Sequence, residues 1–213
     1  MSGLSIIAFG HVHAEHVMAL SAHFVPMEIL ALDVPARDPI AKHRAEFHRA
    51  VDAATNDWLL IVREREEVDA PLAKEIAEAT EAARARGFRI RSIPYYDGAP
   101  LRIGSHDAGE VRLFHRRNFM RFASKGEWED VTVQGTVVRL EESLRSVTFA
   151  SSSEHRQYLR AHGVPHSMLR RLLLFTHHAV VTRTLDRNTL RYLWIEAGFD
   201  HGNAEGRRQK AEG

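Results

Sequence analysis

The segment Trp58-Leu-Leu-Ile-Val62 decides the fold class of this chain. It is entirely apolar and follows the turn-forming pair Asn56-Asp57, so it predicts a buried strand. Similar runs lie upstream at Leu4-Ser-Ile-Ile-Ala-Phe9 and Met27-Glu-Ile-Leu-Ala-Leu32. Apolar residues at helical spacing between positions 41 and 54 predict a helix before the Trp58 strand. These segments together predict an α/β fold built from strand-helix-strand units.

A second helix is predicted directly after the Trp58 strand. Asp69 is a suitable N-cap, Pro71 fits the first turn, and Gly87 stands where a C-terminal cap belongs. The apolar face of this helix is formed by Leu72, Ile76, Ala79 and Ala83.

The sequence after Gly87 predicts antiparallel strands. Residues 88–93 alternate at period two, and residues 111–115 form another apolar run. Residues 132–140 predict a hairpin that turns at Gln134-Gly135. Helical patterns return beyond Ser151. We therefore expect a mixed sheet with C-terminal helices, in an α/β domain (1–150), a helical extension packed on it (151–205) and a polar tail (206–213).

The amino-acid composition of the chain argues against several classes of function. The 213 residues are 44% hydrophobic and 27% charged, which argues against disorder and leaves a chain able to bury a core. The absence of cysteine excludes disulfides, thiolate catalysis and cysteine-based zinc sites. A formal net charge of +1 gives no reason to expect nucleic acid as a partner. No leader or membrane-spanning segment is visible, so we expect a cytoplasmic location.

Several segments carry a family resemblance. Asn56-Asp-Trp-Leu-Leu-Ile-Val-Arg-Glu-Arg-Glu-Glu67 resembles the Asp-Trp-(apolar)4-Asp-Ala-Asp-Glu signature of family 2 glycosyltransferases, and Glu28-Ile-Leu-Ala-Leu-Asp33 with Asp38 resembles that family's second-strand motif. Further segments similar to the bacterial lipopolysaccharide-core branch are Gly87-Phe-Arg-Ile90, Val111-Arg-Leu-Phe-His-Arg-Arg117, Arg121-Phe122, Val133-Gln-Gly135 and Leu190-Arg-Tyr-Leu-Trp-Ile-Glu-Ala-Gly-Phe-Asp-His-Gly202.

The resemblance implies a nucleotide-diphospho-sugar transferase fold of the GT-A, Rossmann-like type, with a nucleotide-sugar as ligand. By position, Asp33 and Asp38 would bind the nucleoside. Glu129 would act as the catalytic carboxylate near the acceptor, although Trp128 replaces the histidine expected before it. The family's reaction is inversion at the anomeric carbon, aided by a carboxylate base and by positive charge on the departing diphosphate.

The chain departs from the family at the metal-binding motif. Arg63 and Arg65 replace the two aspartates, and a guanidinium cannot ligate magnesium or manganese, so no divalent cofactor is expected. Glu66 remains and suggests an ion-pair network. One hypothesis is that both arginines neutralise the diphosphate in a metal-independent transferase. The others are a catalytically weakened enzyme and a non-catalytic binding or assembly module, and whether the chain is an enzyme stays open.

The run His11-Val-His-Ala-Glu-His16 supports a competing hypothesis. It resembles the His-x-His-x-Asp-His motif of metallo-β-lactamase-like hydrolases, in which imidazoles and a carboxylate gather a metal at a strand end. The second alternative is therefore a metal-dependent hydrolase that uses His11, His13 and His16. Solvated histidines without a metal are the simpler interpretation.

The stretch 166–185 raises the question of larger partners. It carries Arg170-Arg171 beside Leu172-Leu-Leu-Phe175 at helical spacing. Such an apolar stripe suits core packing or a homo-oligomer seam, and its alternative role is peripheral contact with a membrane surface.

Overall fold

The computed structural model describes residues 3–35, 40–82, 84–101, 109–123 and 130–161, together with positions 189, 191, 192 and 195. The strands are β1 Leu4–Phe9, β2 Met27–Leu32, β3 Trp58–Arg63, β4 Glu66–Glu67, β5 Gly87–Tyr96, β6 Ala99–Pro100, β7 Glu110–His115, β8 Phe119–Ala123, β9 Asp130–Val133 and β10 Val137–Phe149. The helices are α1 Arg44–Ala53, α2 Ala70–Ala82 and α3 Ser152–Ala161, with 3-10 helices at Ala14–Ala22, Ile40–His43 and Arg116–Asn118.

The three predicted apolar strands form the parallel half of the main sheet. β1 lies between β2 and β3, with Leu4 opposite Met27 on one side and Trp58 on the other. Every residue of β1 is buried. The central position of β1 explains why its sequence is continuously apolar rather than alternating.

The rest of the main sheet contains antiparallel pairs. The strand order is β2-β1-β3-β7-β5-β10-β4, and β6 pairs with β5. β7 runs antiparallel to both β3 and β5. The predicted α/β class and mixed sheet are confirmed.

Both faces of β1 and β3 are buried. β2 lies at the edge of the sheet and is only partly buried, so the prediction of a buried strand there is wrong. On one face, Leu60 and Val62 of β3 join Leu72 and Ile76 of α2 in a core cluster. On the other face, the neighbouring β3 side chains pack with α1 around Phe47. Successive strand residues point to opposite faces, so one strand contributes to both clusters.

Helix α2 begins as predicted, but its predicted end is wrong. The backbone N–H of Leu72 donates to Asp69 Oδ1 over 3.1 Å, which confirms the N-cap. The helix ends at Ala82, and Gly87 is the first residue of β5. A Cβ at Gly87 would lie 3.3 Å from Cγ2 of Val133. The glycine therefore serves close packing between strands rather than a helix end.

The predicted hairpin over residues 132–140 is also wrong. β9 pairs with β8 in a separate two-stranded sheet, whereas β10 belongs to the main sheet, where Ser146 lies opposite Glu66. Gly135 has φ +115° and marks the point at which the chain passes from one sheet to the other. A glycine turn between two apolar runs is compatible with either arrangement, so local sequence could not distinguish them.

The chain divides into two compact units. Unit 1 comprises Met1–Ile93 and Ser105–Ser146, and unit 2 comprises Pro94–Gly104 and Val147–Gly213. In unit 2, α3 provides the helix expected beyond Ser151. The predicted helix at 166–185 lies outside the described residues, and the predicted domain boundaries remain predictions.

The Glu28 side chain connects three segments at the amino-terminal end of the parallel strands. Glu28 Oε1 accepts hydrogen bonds from the Thr55 backbone N–H over 2.6 Å and the Thr55 hydroxyl over 2.8 Å, and from the Ser5 hydroxyl. Burial raises the pKa of Glu28, but the hydrogen bonds from Ser5, Thr55 and Asn56 outweigh it and leave the pKa below its ordinary value. The ionised carboxylate therefore stabilises this end of the sheet.

We expect Glu28→Gln to lower the free energy of unfolding at neutral pH by about 1–2 kcal/mol, because an amide oxygen is a weaker acceptor for these donors. The pKa of Glu28 is lower in the folded state, so its contribution is present above the ordinary value of 4.5 and is lost as the pH falls through the folded value. Urea unfolding from pH 7 down to pH 3 should show the difference between wild type and variant shrinking. Glu46→Gln, which removes an exposed partner of Arg49 on α1, is the control and should change stability little. A difference that grows on acidification would contradict the assignment.

Candidate functional site

The carboxyl ends of β1 and β3 lie at the position in the sheet where α/β proteins commonly bind ligands in a crevice. β2 lies on one side of β1 and β3 on the other, so the strand order reverses at β1. Such a switch point leaves an open crevice beyond the strand ends. Phe9 at the end of β1 lies opposite Arg63 at the end of β3, and the Glu64 N–H donates to the Phe9 carbonyl over 2.7 Å. The loops after the two strands are therefore neighbours.

The loop after β2 reaches the same edge. Gly10, which has φ +74°, donates its N–H to the Leu32 carbonyl over 3.3 Å. Asp33 follows Leu32 directly and is exposed to solvent. The predicted nucleoside-binding Asp33 thus lies at the crevice, whereas Asp38 lies outside the described residues.

Arg63 and Glu66 belong to a cluster of four charges, of which Glu66 and Arg112 are buried. The Arg63 N–H donates to Glu66 Oε2 over 2.8 Å, and Arg63 Nη2 lies 3.3 Å from Glu110 Oε2. Arg112 Nη2 lies 3.2 Å from Glu66 Oε1 and 2.9 Å from Glu110 Oε2. The side chains of Arg112 and Glu66 are only 2% and 4% exposed. Two guanidiniums thus balance two carboxylates, and we call these four residues the ion-pair cluster.

Both carboxylate oxygens of Glu66 are occupied. Oε1 accepts from Arg112 Nη2 and, over 3.2 Å, from the Ser92 hydroxyl. Oε2 accepts from the Arg63 N–H and from Arg112 Nη1. The predicted ion-pair network at Glu66 is present, and a carboxylate held by these donors is unsuited to bind a metal as well.

Arg112 and Glu110 are not among the residues predicted for the site. The signal in the sequence was an arginine inside the apolar run Val111-Arg-Leu-Phe114, because a charge in a buried strand requires a partner. The sequence did not identify that partner. Glu66 lies 46 positions away and reaches Arg112 only through the packing of the sheet.

The two predicted diphosphate-binding arginines have different environments. The Arg63 side chain is 22% exposed. Burial and the nearby Arg112 lower the pKa of Arg63, while Glu110 and Glu66 oppose this effect. Arg63 nevertheless stays charged. Arg65 is exposed, with φ +66° in the tight turn between β3 and β4. Of the two, Arg65 is the arginine that faces solvent at the strand ends.

The imidazoles of His11, His13 and His16 lie next to one another at the start of the first 3-10 helix. The ring centroids of His11 and His13 are 4.6 Å apart, and those of His13 and His16 are 5.3 Å apart. The His16 carbonyl accepts from the Val68 N–H over 2.8 Å, which brings this segment close to the residues after β4. Within the part of the chain that the structure describes, no group of three histidine or acidic side chains could hold a metal ion. The hydrolase alternative therefore has no candidate metal centre there.

By the same family resemblance Ser146 replaces a second expected histidine, and Glu129 and Ser146 have different outcomes. Glu129, predicted as the catalytic carboxylate, and its neighbour Trp128 lie outside the described residues. Ser146 lies on β10 opposite Glu66 of β4, directly beside the ion-pair cluster. Arg145, the residue before it, lies 3.8 Å from Glu67 on the same pair of strands.

Comparisons with known proteins give similarity to solved structures. No family model matches the chain, and no curated protein matches it. The crystal structure of residues 1–349 of TarS from S. aureus, a glycosyltransferase, is similar over 92% of this chain and 78% of that one, with a TM-score of 0.40 and 10% sequence identity. Among the described residues, no helix is long and apolar enough to span a bilayer.

Proposed function

We propose that this chain is a glycosyltransferase family 2-like protein that binds a nucleotide-sugar without a divalent metal and transfers the sugar slowly. The ion-pair cluster is the observation that carries this proposal. Glu66 holds the acidic position that remains of the metal-binding motif, and its two oxygens are bonded to Arg63, Arg112 and Ser92. A cation recruited to this position would have to break those hydrogen bonds in a buried site.

Positive charge for a diphosphate would come from the loops at the crevice. Arg65 is exposed in the turn after β3, and His11 and His13 are exposed in the loop after β1. Charge-assisted hydrogen bonds from a guanidinium to phosphate oxygens are stronger than neutral ones. Arg63 would act as a positioning residue, since its ion pair with Glu110 holds the end of β3 in place. Asp33 would bind the nucleoside at the neighbouring loop.

Slow transfer follows from the charge available to the leaving group. A divalent ion that bridges two phosphates stabilises the departing diphosphate by several kcal/mol. One arginine and two exposed imidazoles concentrate less positive charge on the diphosphate than a divalent ion does, so the transition state gains less than it would from a metal. Glu129 remains our proposed base. Under this proposal the chain retains its ligand while the rate of transfer falls.

The expected result is binding of a nucleoside diphosphate that EDTA does not abolish. Isothermal titration calorimetry with UDP, GDP, ADP and CDP, in EDTA or in manganese, should give equal affinities in both buffers for the preferred nucleotide. Arg65→Ala should weaken that binding about 10- to 100-fold, the loss typical of one charged hydrogen bond. Arg117→Ala, which removes an exposed arginine near the amino-terminal end of β3, the opposite end from Arg65, is the matched control and should bind like the wild type.

Several outcomes would decide against the proposal or one of its parts. Binding that appears only with manganese would overturn metal independence, and unchanged affinity of Arg65→Ala would remove Arg65 from the site. Binding of a nucleotide-sugar with no transfer to any acceptor would support the alternative of a non-catalytic binding module. Zinc, iron or manganese retained by the purified protein would revive the hydrolase alternative.

A further inference from the structure

A group of basic side chains lies at the amino-terminal end of β3, the opposite end from Arg63. Three backbone hydrogen bonds fix its segments: His115 N–H to the Arg86 carbonyl over 2.9 Å, Arg86 N–H to the Thr136 carbonyl over 2.9 Å, and Arg116 N–H to the Asp57 carbonyl over 2.7 Å. Four chain segments therefore meet there. We call the group the basic edge, and its members are Arg86, His115, Arg116 and Arg117.

Positive charge is concentrated at the basic edge although the whole chain carries a formal charge of only +1. Arg86 is exposed, and the Arg117 side chain is 78% exposed with Asp57 3.8 Å away. Burial lowers the pKa of His115, and Arg86, Arg117 and Arg116 lower it further against the opposing effect of Asp57. Among the described groups whose charges act on His115, three are arginines and one is the carboxylate of Asp57. The net charge around His115 is therefore positive.

The turn at Gly135 lies against the aliphatic part of the Arg86 side chain. Gly135 has φ +115°, and a Cβ built on it would lie 3.0 Å from Cγ of Arg86. Glycine at this turn therefore leaves room for the aliphatic part of the arginine. The guanidinium of Arg116 is fixed differently, since it donates to the Ala54 carbonyl.

Two exposed apolar side chains lie close to the basic edge in sequence. Met120 is 57% exposed and follows Arg117 by three residues, and Val138 is 45% exposed and follows the turn that contacts Arg86. Among the described residues, none of the large apolar side chains that are exposed to solvent is aromatic. Single-stranded nucleic acids are bound through exposed aromatic rings on which bases stack. Arginine beside exposed aliphatic groups is instead typical of surfaces that bind the headgroup region of a bilayer.

We propose that the basic edge binds an anionic membrane surface, with Arg86 and Arg117 contacting lipid phosphates and Met120 and Val138 entering the interface. This inference is independent of the proposed function, because it uses the other end of the sheet. In this orientation the carboxyl ends of β1 and β3 point away from the bilayer, which leaves the crevice open to soluble ligands.

The test is co-sedimentation of the full chain with vesicles of phosphatidylcholine, with and without phosphatidylglycerol. Binding should require the anionic lipid and decrease as salt is added. Each basic residue near an anionic surface contributes about 1 kcal/mol, or roughly five-fold, so the Arg86→Gln/Arg117→Gln double variant should partition about 25-fold more weakly. Lys74→Gln removes one positive charge from the exposed side of α2, which packs on the opposite face of the sheet from β8 and β9, and this variant should bind as the wild type does. Met120→Ser should weaken binding without changing its salt dependence.

Three results would overturn the inference. The first is a failure of the wild-type protein to sediment with anionic vesicles. The second is a double variant that binds anionic vesicles as well as the wild type does. The third is binding that does not change with salt concentration. Tight binding to single-stranded RNA, lost in the double variant while vesicle binding persists, would assign the basic edge to nucleic acid instead. Far-ultraviolet circular dichroism and the melting temperature of each variant establish that a loss of binding is not a loss of folding.

Discussion

Replacement of Arg112 by methionine is expected to lower the free energy of unfolding by roughly 3–5 kcal/mol, the usual effect of removing one partner from a buried ion pair. Arg112 is 2% exposed and contacts both Glu66 and Glu110. Methionine fills similar space but cannot donate hydrogen bonds. Glu66 would remain a buried carboxylate but would lose Arg112, its principal cationic partner. The expected loss of stability arises from that uncompensated charge.

A second substitution separates this explanation from a simple packing defect. In Arg112→Met/Glu66→Gln the buried negative charge is removed, and glutamine can still accept the hydrogen bond from the Arg63 N–H. We expect the double variant to recover more than half of the lost stability, so the two changes should be strongly non-additive. Equilibrium urea unfolding of the wild type, both single variants and the double variant gives the coupling energy directly. If the losses simply add, the ion-pair cluster does not have the energetic role assigned to it.

Truncation of Phe47 to alanine should cost a similar amount, about 3–5 kcal/mol, through loss of apolar contacts and the cavity left behind. Phe47 on α1 is fully buried. Its ring centroid lies 6.0 Å from Phe9, 6.4 Å from Phe114 and 5.7 Å from Phe119. The side chain therefore connects α1 to β1 and β7 of the main sheet and to β8 of the small sheet.

The measurement for Phe47 is again urea unfolding, with Phe47→Leu as the control. Leucine keeps most of the buried volume and should cost less than about 1.5 kcal/mol. Comparable losses for alanine and leucine would show that the ring geometry, rather than the filled volume, stabilises this core. A loss below about 1 kcal/mol for alanine would contradict the packing of α1 on the sheet.

The strands and the first part of α2 were predictable because their signals are local. β1 and the Trp58 strand are almost entirely apolar, as expected of strands covered on both faces, and β2 is apolar apart from Glu28. The N-cap at Asp69 likewise involves residues close in sequence. The resemblance also identified Arg63 and Glu66 as the residues that occupy the motif after β3, and both belong to the ion-pair cluster.

The errors share a physical cause. Gly87 was interpreted from the local preferences of glycine, but its position is determined by Val133, which is distant in sequence. Gly135 does form the expected turn, but the sheet that the chain enters after it is determined by strand pairing distant in sequence. The same holds for Arg112, whose partner Glu66 lies on another part of the sheet. Long-range contacts leave no periodicity that a local pattern could reveal.

The sequence by itself determined the α/β class, the parallel strands and the replacement of two expected acids by Arg63 and Arg65, since each depends on residue type and short spacing. Only the tertiary structure decided what those arginines do. It placed Arg63 beside Glu110 and left Arg65 exposed. Two residues of one short segment can have different environments. Whether Arg63 or Arg65 is exposed to solvent depends on the strands that pack around each side chain.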